Sequence, residues 1–324
     1  MSMRVADAGV ASLVRRLLAL GGSRAVRWGF GVVGVVLATW AVSSRWSQVV
    51  DALQRLDAGY VGGAAVATVA NLVLTGMAWR ALLSDLGSRL PLPVAARVFF
   101  VGQIGKYMPG SVWPVVAQAE LARDHGVPRR RTAAATLVMI LLSAATALLV
   151  VLGAVPFVPF SSARDVAEGS FGWTLLLVVP LLVLLHPRLL GPLLDRLLGA
   201  LGGEPLEHPP SLRGTVVAIT WAIGSWLAAG TQVWLLAVGL GGAADGRTFA
   251  LAVGGYALAW AVGLLVVIAP AGAGARELAL IAVLSSVLDG GSLLVLVLLS
   301  RVLFSLADLA AAGLGYGLGR RHRA

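Results

Sequence analysis

An all-α, polytopic transmembrane bundle is the fold class that this sequence predicts, with about 6–8 spans. Three observations predict it. Charged residues are 12% of the 324 and hydrophobic residues 58%, whereas a soluble domain carries about a quarter charged residues to cover its surface. Seven apolar runs approach or exceed the roughly 17–25 residues that cross a hydrocarbon core. They are Trp28–Ser44, Tyr60–Leu83, Thr132–Val155, Phe171–Leu185, Gly214–Leu240, Phe249–Ile268 and Ser292–Leu318. Finally, the arginines are distributed unevenly. Of the 24 in the chain, 18 fall in segments assigned to one side of the membrane, against four on the other, and that bias marks the cytoplasmic side. Alternating ten-residue strands, the signature of a barrel, are missing from the pattern.

The threading follows from charge and parity. A basic segment, 1–27, stays cytoplasmic, and a single integral domain covers 28–318. Trp28–Ser44 exits as a signal anchor, being long for a cleavable signal core, and Tyr60–Leu83 returns. The next apolar stretch, Val94–Leu121, is broken at Pro109-Gly110 and has arginine near both ends (Arg89 and Arg97 near its start, Arg123 and Arg129–Arg131 after it). Both flanks are therefore cytoplasmic, and a re-entrant hairpin with Pro109-Gly110 near its tip satisfies the charge rule. Thr132–Val155 exits and Phe171–Leu185 returns. Residues 187–201 carry leucines on one face and charge elsewhere, the pattern of a helix lying on the membrane surface. Gly214–Leu240 exits again. The basic tail 319–324 is delivered to the cytoplasm by Ser292–Leu318, so Phe249–Leu288 has to leave and rejoin the periplasmic side. Parity leaves two full spans or a second re-entrant hairpin open. The break in this segment is Pro270, Gly272 and Gly274.

The two broken segments share a plan: an apolar helix, a Pro with nearby Gly, then a second helix carrying Glu120 or Glu277. One opens from the cytoplasm and the other from the periplasm. Repeat halves at 60–155 and 212–318 in inverted orientation would explain this, and interrupted helices in such repeats mark substrate sites. Two unrelated proline kinks are the alternative.

Ionisable groups at membrane depth are costly and are functional candidates by default. Here they are Lys106, Glu120, Arg276, Glu277, Arg301 and Asp308. Lys106 is the sole lysine of the chain. With Gln103 and Tyr107 it occupies i, i+3 and i+4 positions, which share one helix face. Such a face suits a phosphate or sugar-phosphate head group, the alternative being a lysine that snorkels to the interface. Arg276 and Glu277 open the helix after the second break, where unpaired N–H groups and a planar guanidinium receive anions. Arg301 and Asp308 lie seven apart on one face. Arg301 is expected to pair with Glu277 or Asp308, in a structural polar cluster with Glu120. No catalytic constellation, metal-ligand spacing, cofactor motif or nucleotide loop is found, and cysteine is lacking. The net charge of +10 follows the cytoplasmic loops and points to anionic lipid, not nucleic acid.

The run Gly102-Gln103-Ile104-Gly105-Lys106-Tyr107-Met108-Pro109-Gly110-Ser111-Val112-Trp113 resembles the first signature of the lysylphosphatidylglycerol synthase transmembrane-domain family of flippase-like proteins. Pro270-Ala271-Gly272-Ala273-Gly274-Ala275-Arg276-Glu277 is similar to its second, and Arg301 with Asp308 fits its closing helix. The resemblance covers about residues 25–320. It implies two inverted repeats around a lipid-facing cavity, and movement of a modified lipid between leaflets. A stand-alone member lacking the aminoacyl-transferase domain is expected. Many relatives carry a Gly-Glu pair after the first Pro-Gly, where this chain has Ser111-Val112-Trp113-Pro114, which points to a different lipid.

The expectation is a translocase, not an enzyme, in the inner membrane with both termini cytoplasmic. It handles an anionic or glycosylated lipid at Gln103, Lys106, Tyr107, Arg276 and Glu277. A membrane-embedded transferase on a polyprenyl lipid is one alternative. The other is a scaffold for a separate lipid-modifying enzyme.

Overall fold

The computed structural model describes residues 43–44, 46–108, 113–157, 187–200, 209–266 and 272–321. The expected span at 171–185, nearly all of that at 28–44, the segment 1–27, Pro109, Gly110 and Pro270 lie outside the described residues. The described residues are helical and contain no strand. The helices are α1 (Trp46–Arg55), α2 (Ala58–Asp85), α3 (Leu92–Ala96), α4 (Trp113–Arg123), α5 (Arg129–Ala154), α6 (Pro187–Ala200), α7 (Leu212–Gly239), α8 (Gly246–Leu265), α9 (Ala275–Leu284) and α10 (Gly290–Arg321). Helix α3 continues through a π-helical turn, Arg97–Val101, to a 3₁₀ turn, Ile104–Tyr107.

Five helices are long and apolar enough to cross a membrane: α2, α5 with its extension to Phe157, α7, α8 and α10. Each begins and ends within a few residues of an apolar run in the sequence. Small polar residues fix several starts by accepting orphan N–H groups. Asp57 accepts from Gly59 N, Ser211 from Gly214 N and Asp245 from Thr248 N. Before α10, Asp289 accepts from the N–H groups of Gly291 and Ser292. Hydrogen bonds from the Ser292 N–H and hydroxyl hold the Asp289 carboxyl below its ordinary value. The outward faces are apolar. Val66, Val69 and Val73 on α2, and Val302, Leu306 and Leu309 on α10, are exposed at helical spacing. Water would penalise such stripes, and lipid does not.

Helices α2 and α7 form the central pair, and they run antiparallel. Gly239 lies against Tyr60, Gly63 against Leu235, Gly224 against Leu74 and Gly214 against Asp85. At mid-length the Asn71 amide donates to the Ser225 carbonyl at 2.8 Å. The remaining elements come in two sets of the same order: a central helix, a broken hairpin and a long closing helix. Closing helix α5 packs on α8, the first limb of the second hairpin. Closing helix α10 packs on the π-helical part of the first limb of the first hairpin. Each set thus closes over the other.

The hairpins approach from opposite ends of the central pair. The first starts beyond α2 and finishes where Arg131 donates to the Gly87 carbonyl and Ser88 hydroxyl, so both its ends lie beside Asp85. The second starts after Leu240 and finishes where Leu288 meets Gly242 and the Ser292 hydroxyl reaches the Leu240 carbonyl. Its ends lie at the other pole. Within each hairpin the limbs are antiparallel and backbone-close. A Cβ on Gly102 would stand 2.4 Å from Gln118 Cγ, and one on Gly255 would stand 3.0 Å from Val283 Cγ1.

Small residues set this packing, as membrane interfaces require. A Cβ on Gly230 would lie 2.2 Å from Val253 Cγ2 and 2.5 Å from its Cα. Gly62 faces open space. Gly230→Ala therefore costs about 2 kcal/mol or more by overpacking the α7–α8 contact. Gly62→Ala is neutral or stabilises by up to about 1 kcal/mol through helix propensity. Thermal melting of the two variants in detergent checks both signs.

Candidate functional site

The described inner ends of the hairpin limbs, at Met108 and Pro114 in the first and Val266 and Gly272 in the second, converge on a cavity of about 310 Å³ beside the midpoint of the central pair. Local backbone geometry delivers the charged groups to it. In the first hairpin the π-helical turn shifts the register of the limb, as such turns often do near sites. The following 3₁₀ turn then presents Lys106 and Tyr107 before the chain becomes extended at Met108. Gly105 is needed because a Cβ there would stand 2.9 Å from Pro114 N in the returning limb. In the second hairpin Gly272 (φ 69°) and Gly274 (φ 87°) occupy the left-handed region, which side chains with a Cβ rarely adopt. Gly263 leaves room for the stem of Arg276, since a Cβ there would sit 2.4 Å from Arg276 Cγ.

Gln103, Lys106, Tyr107, Arg276, Glu277, Arg301 and Asp308 all line this cavity. The carboxylate of Asp308 is almost fully enclosed. Its Oδ2 lies 2.6 Å from Lys106 Nζ and accepts the Tyr107 hydroxyl, also at 2.6 Å. Arg301 donates to Glu277 Oε1 at 3.0 Å, while Glu277 Oε2 accepts from Gly274 N at 2.7 Å, which closes the first turn of α9. Of the two partners that the sequence left open for Arg301, Glu277 is the one that carries the ion pair. Arg276 donates to the Tyr256 hydroxyl at 3.1 Å and lies over its ring, 5.5 Å from the centroid. Tyr256 stacks in turn on Phe304 of α10. Among the described residues no carboxylate pairs with Arg276.

Glu120 does not join this cluster. It is half exposed on the last turns of α4, where it accepts from Arg129 at 2.7 Å and lies 4.0 Å from Arg123. The sequence grouped it with the buried acids because the apolar stretch runs up to it. The break before Trp113 makes α4 short, which puts Glu120 near its outer end.

Sequence reasoning also missed Tyr256, which sets the direction of the Arg276 fork. A tyrosine in the middle of an apolar span, one of only four in the chain, was the available signal. The neutral wall was read only in part. Beside Gln103 and Tyr107, the neutral side chains Asn71, Thr75 and Ser143 also line the cavity. Trp226 and Trp260, packed edge to face at 5.3 Å, form an aromatic side of it. Thr136, which also lines the cavity, accepts from Trp79 Nε1 and donates to Gln118 Oε1. Trp226 Nε1 donates to Thr146. These bonds satisfy polar groups that lipid cannot.

A family model described as the lysylphosphatidylglycerol synthase TM region matches residues 26–311 of the chain. No curated protein matches it.

The Lys106–Asp308 pair joins the first hairpin to α10, and removing one partner strands the other. Asp308→Ala is expected to destabilise the fold by about 2–3 kcal/mol, somewhat below a fully buried pair because Lys106 is one-third exposed. Adding Lys106→Met should recover most of that loss. A double-mutant cycle on thermal or denaturant unfolding measures the coupling.

Proposed function

The chain belongs to the lysylphosphatidylglycerol synthase TM-region family, and from that premise we propose that it is a lipid translocase. It moves an anionic or glycosylated lipid across the inner membrane, in the manner of a flippase. The observation that carries this reading is the cavity lined by limbs of both hairpins, with three cations and two carboxylates on its wall. Charges at that depth are retained in membrane proteins chiefly where a polar cargo passes. Gln103, Lys106, Tyr107, Arg276 and Glu277 form the head-group site.

The architecture supports such movement. An axis that exchanges antiparallel α2 and α7 runs perpendicular to both, so it lies in the membrane plane if they cross the bilayer. The reciprocal packing of α5 on α8 and of α10 on the first hairpin fits that axis. The two sets are then an inverted repeat, whose broken helices flank the substrate. Helix α4 has 11 residues and α9 has 10, so each rises only about 15–17 Å, half of a hydrocarbon core. The first hairpin therefore reads as re-entrant from the cytoplasm. The second reaches in from the periplasm and returns through a half-length helix. With the apolar runs 28–44 and 171–185 of the sequence read as crossings beside α2, α5, α7 and α10, the chain crosses six times, an even number, and the second hairpin adds no net crossing. The arginine bias puts both termini in the cytoplasm.

Reconstitution in liposomes tests this reading. The protein should accelerate exchange of a lipid between leaflets, followed by accessibility of its head group to a membrane-impermeant reagent. Arg276→Ala should slow that exchange by about tenfold or more, the loss of one charge-assisted anion contact, while the variant still folds. Native protein that moves no lipid contradicts the proposal. An Arg276→Ala variant as fast as the native protein takes Arg276 out of the site.

A further inference from the structure

We infer that the cavity selects a lipid whose head group is a hydroxyl-bearing phosphodiester monoanion, and that it rejects an aminoacylated, cationic one. The inference rests on the reading of the cavity as a lipid head-group site, and it deepens that reading by fixing the charge of the cargo.

The argument begins with pairing. Asp308 neutralises Lys106 at 2.6 Å and Glu277 neutralises Arg301 at 3.0 Å. Arg276 is left with a phenol and a ring face. Three cations against two carboxylates leave the wall with one positive charge among the described residues. An uncompensated charge in a medium of low dielectric is expensive, and a bound counter-charge relieves it. A monoanion completes neutrality. A dianionic phosphomonoester overshoots it, and a zwitterion leaves it unchanged. A lysyl ester of a phosphodiester carries net positive charge and adds to the excess.

Geometry narrows the anion further. The planar guanidinium offers two parallel donors, the match for two oxygens of one phosphate. Tyr256 holds one Nη and so orients that fork toward the cavity. The lining also carries neutral polar side chains. Asn71 spends its amide N–H on the Ser225 carbonyl, so its Oδ1 remains an acceptor. The Thr75 hydroxyl donates to the Asn71 carbonyl, so its lone pairs also remain. Ser143 adds a further hydroxyl to the lining. Acceptors of this kind suit the hydroxyls of a glycerol or sugar. They offer no carboxylate to an ammonium group beyond the two already committed. The volume, about 310 Å³, lies at the lower end of ligand pockets, which span roughly 300–1,000 Å³. It accommodates a head group, and the acyl chains stay in the bilayer.

The test is lipid binding to the purified chain in detergent, read by native mass spectrometry as retained lipid against concentration. The probes are phosphatidylglycerol, phosphatidylethanolamine, lysyl-phosphatidylglycerol and soluble glycerophosphoglycerol. Phosphatidylglycerol should bind about tenfold or more tightly than either of the other two lipids, one unit of charge complementarity in a partly desolvated site. Glycerophosphoglycerol should compete only weakly. Arg276→Glu converts the surplus positive charge into a negative one and should reverse the order in favour of the lysyl lipid. Arg276→Lys should preserve the order. If Arg276→Glu does not fold, as judged by its melting curve, Arg276→Gln takes its place and should abolish the preference between phosphatidylglycerol and phosphatidylethanolamine. Equal retention of the three lipids by the native chain overturns the inference, as does an order that Arg276→Glu or Arg276→Gln leaves unchanged. Competition by the soluble head group as strong as that of the lipid overturns its lipid source. The transport reading fails separately. Selective binding without leaflet exchange removes transport and keeps this inference. Exchange without charge preference removes this inference and keeps transport.

Discussion

One face of the last helix ties the site together. Arg301 and Asp308 lie two turns apart on α10, and each holds a different hairpin. Asp308 gathers Lys106 and Tyr107 from the end of the first hairpin's first limb. Arg301 holds Glu277 at the start of the second limb of the other hairpin. The hydrocarbon interior offers no water to a broken helix, so every interruption has to be satisfied by protein. These two ion pairs fasten both interruptions to one rigid element. The cavity between them follows, because the hairpins are held to α10 and α10 is held to the central helices.

The glycines have the complementary role. Gly102 and Gly105 let the limbs of the first hairpin touch, and Gly263 makes space for Arg276. Larger residues there would separate the limbs or turn the guanidinium away from the cavity. The substance of the site is thus a close backbone approach that leaves charged side chains only one direction in which to point. Tyr256, stacked on Phe304, completes the orientation of Arg276 with a group that carries no charge. That choice of partner leaves the surplus cation available to a ligand.

Much of this was legible in the sequence, for identifiable reasons. Long apolar runs have one solution in lipid, so α2, α5, α7, α8 and α10 appear within a few residues of where composition put them. The spacing of Gln103, Lys106 and Tyr107 implied one face, and all three line the cavity. The helix ends were less legible, because a cap depends on one Asp or Ser whose role appears only when the chain is folded. Glu120 shows the limit of reading depth from hydrophobicity. Its neighbours are apolar, yet the short α4 carries it out to Arg123 and Arg129. The choice of Glu277 over Asp308 as the partner of Arg301 could not be read either. It depends on how far the second hairpin reaches along α10, which Gly272 and Gly274 set through their left-handed backbone.

The central claim is that a lipid head group sits between the two hairpins. The most direct measurement is photocrosslinking of the reconstituted protein with a lipid bearing a photoactivatable group on its head, with the labelled residues mapped by peptide mass spectrometry. The account predicts labels concentrated on 103–107 and 272–280, together with the stretch of α10 from Arg301 to Asp308. Labels confined to the outward apolar faces, around Val66 and Val69 or around Leu306 and Leu309, would contradict it.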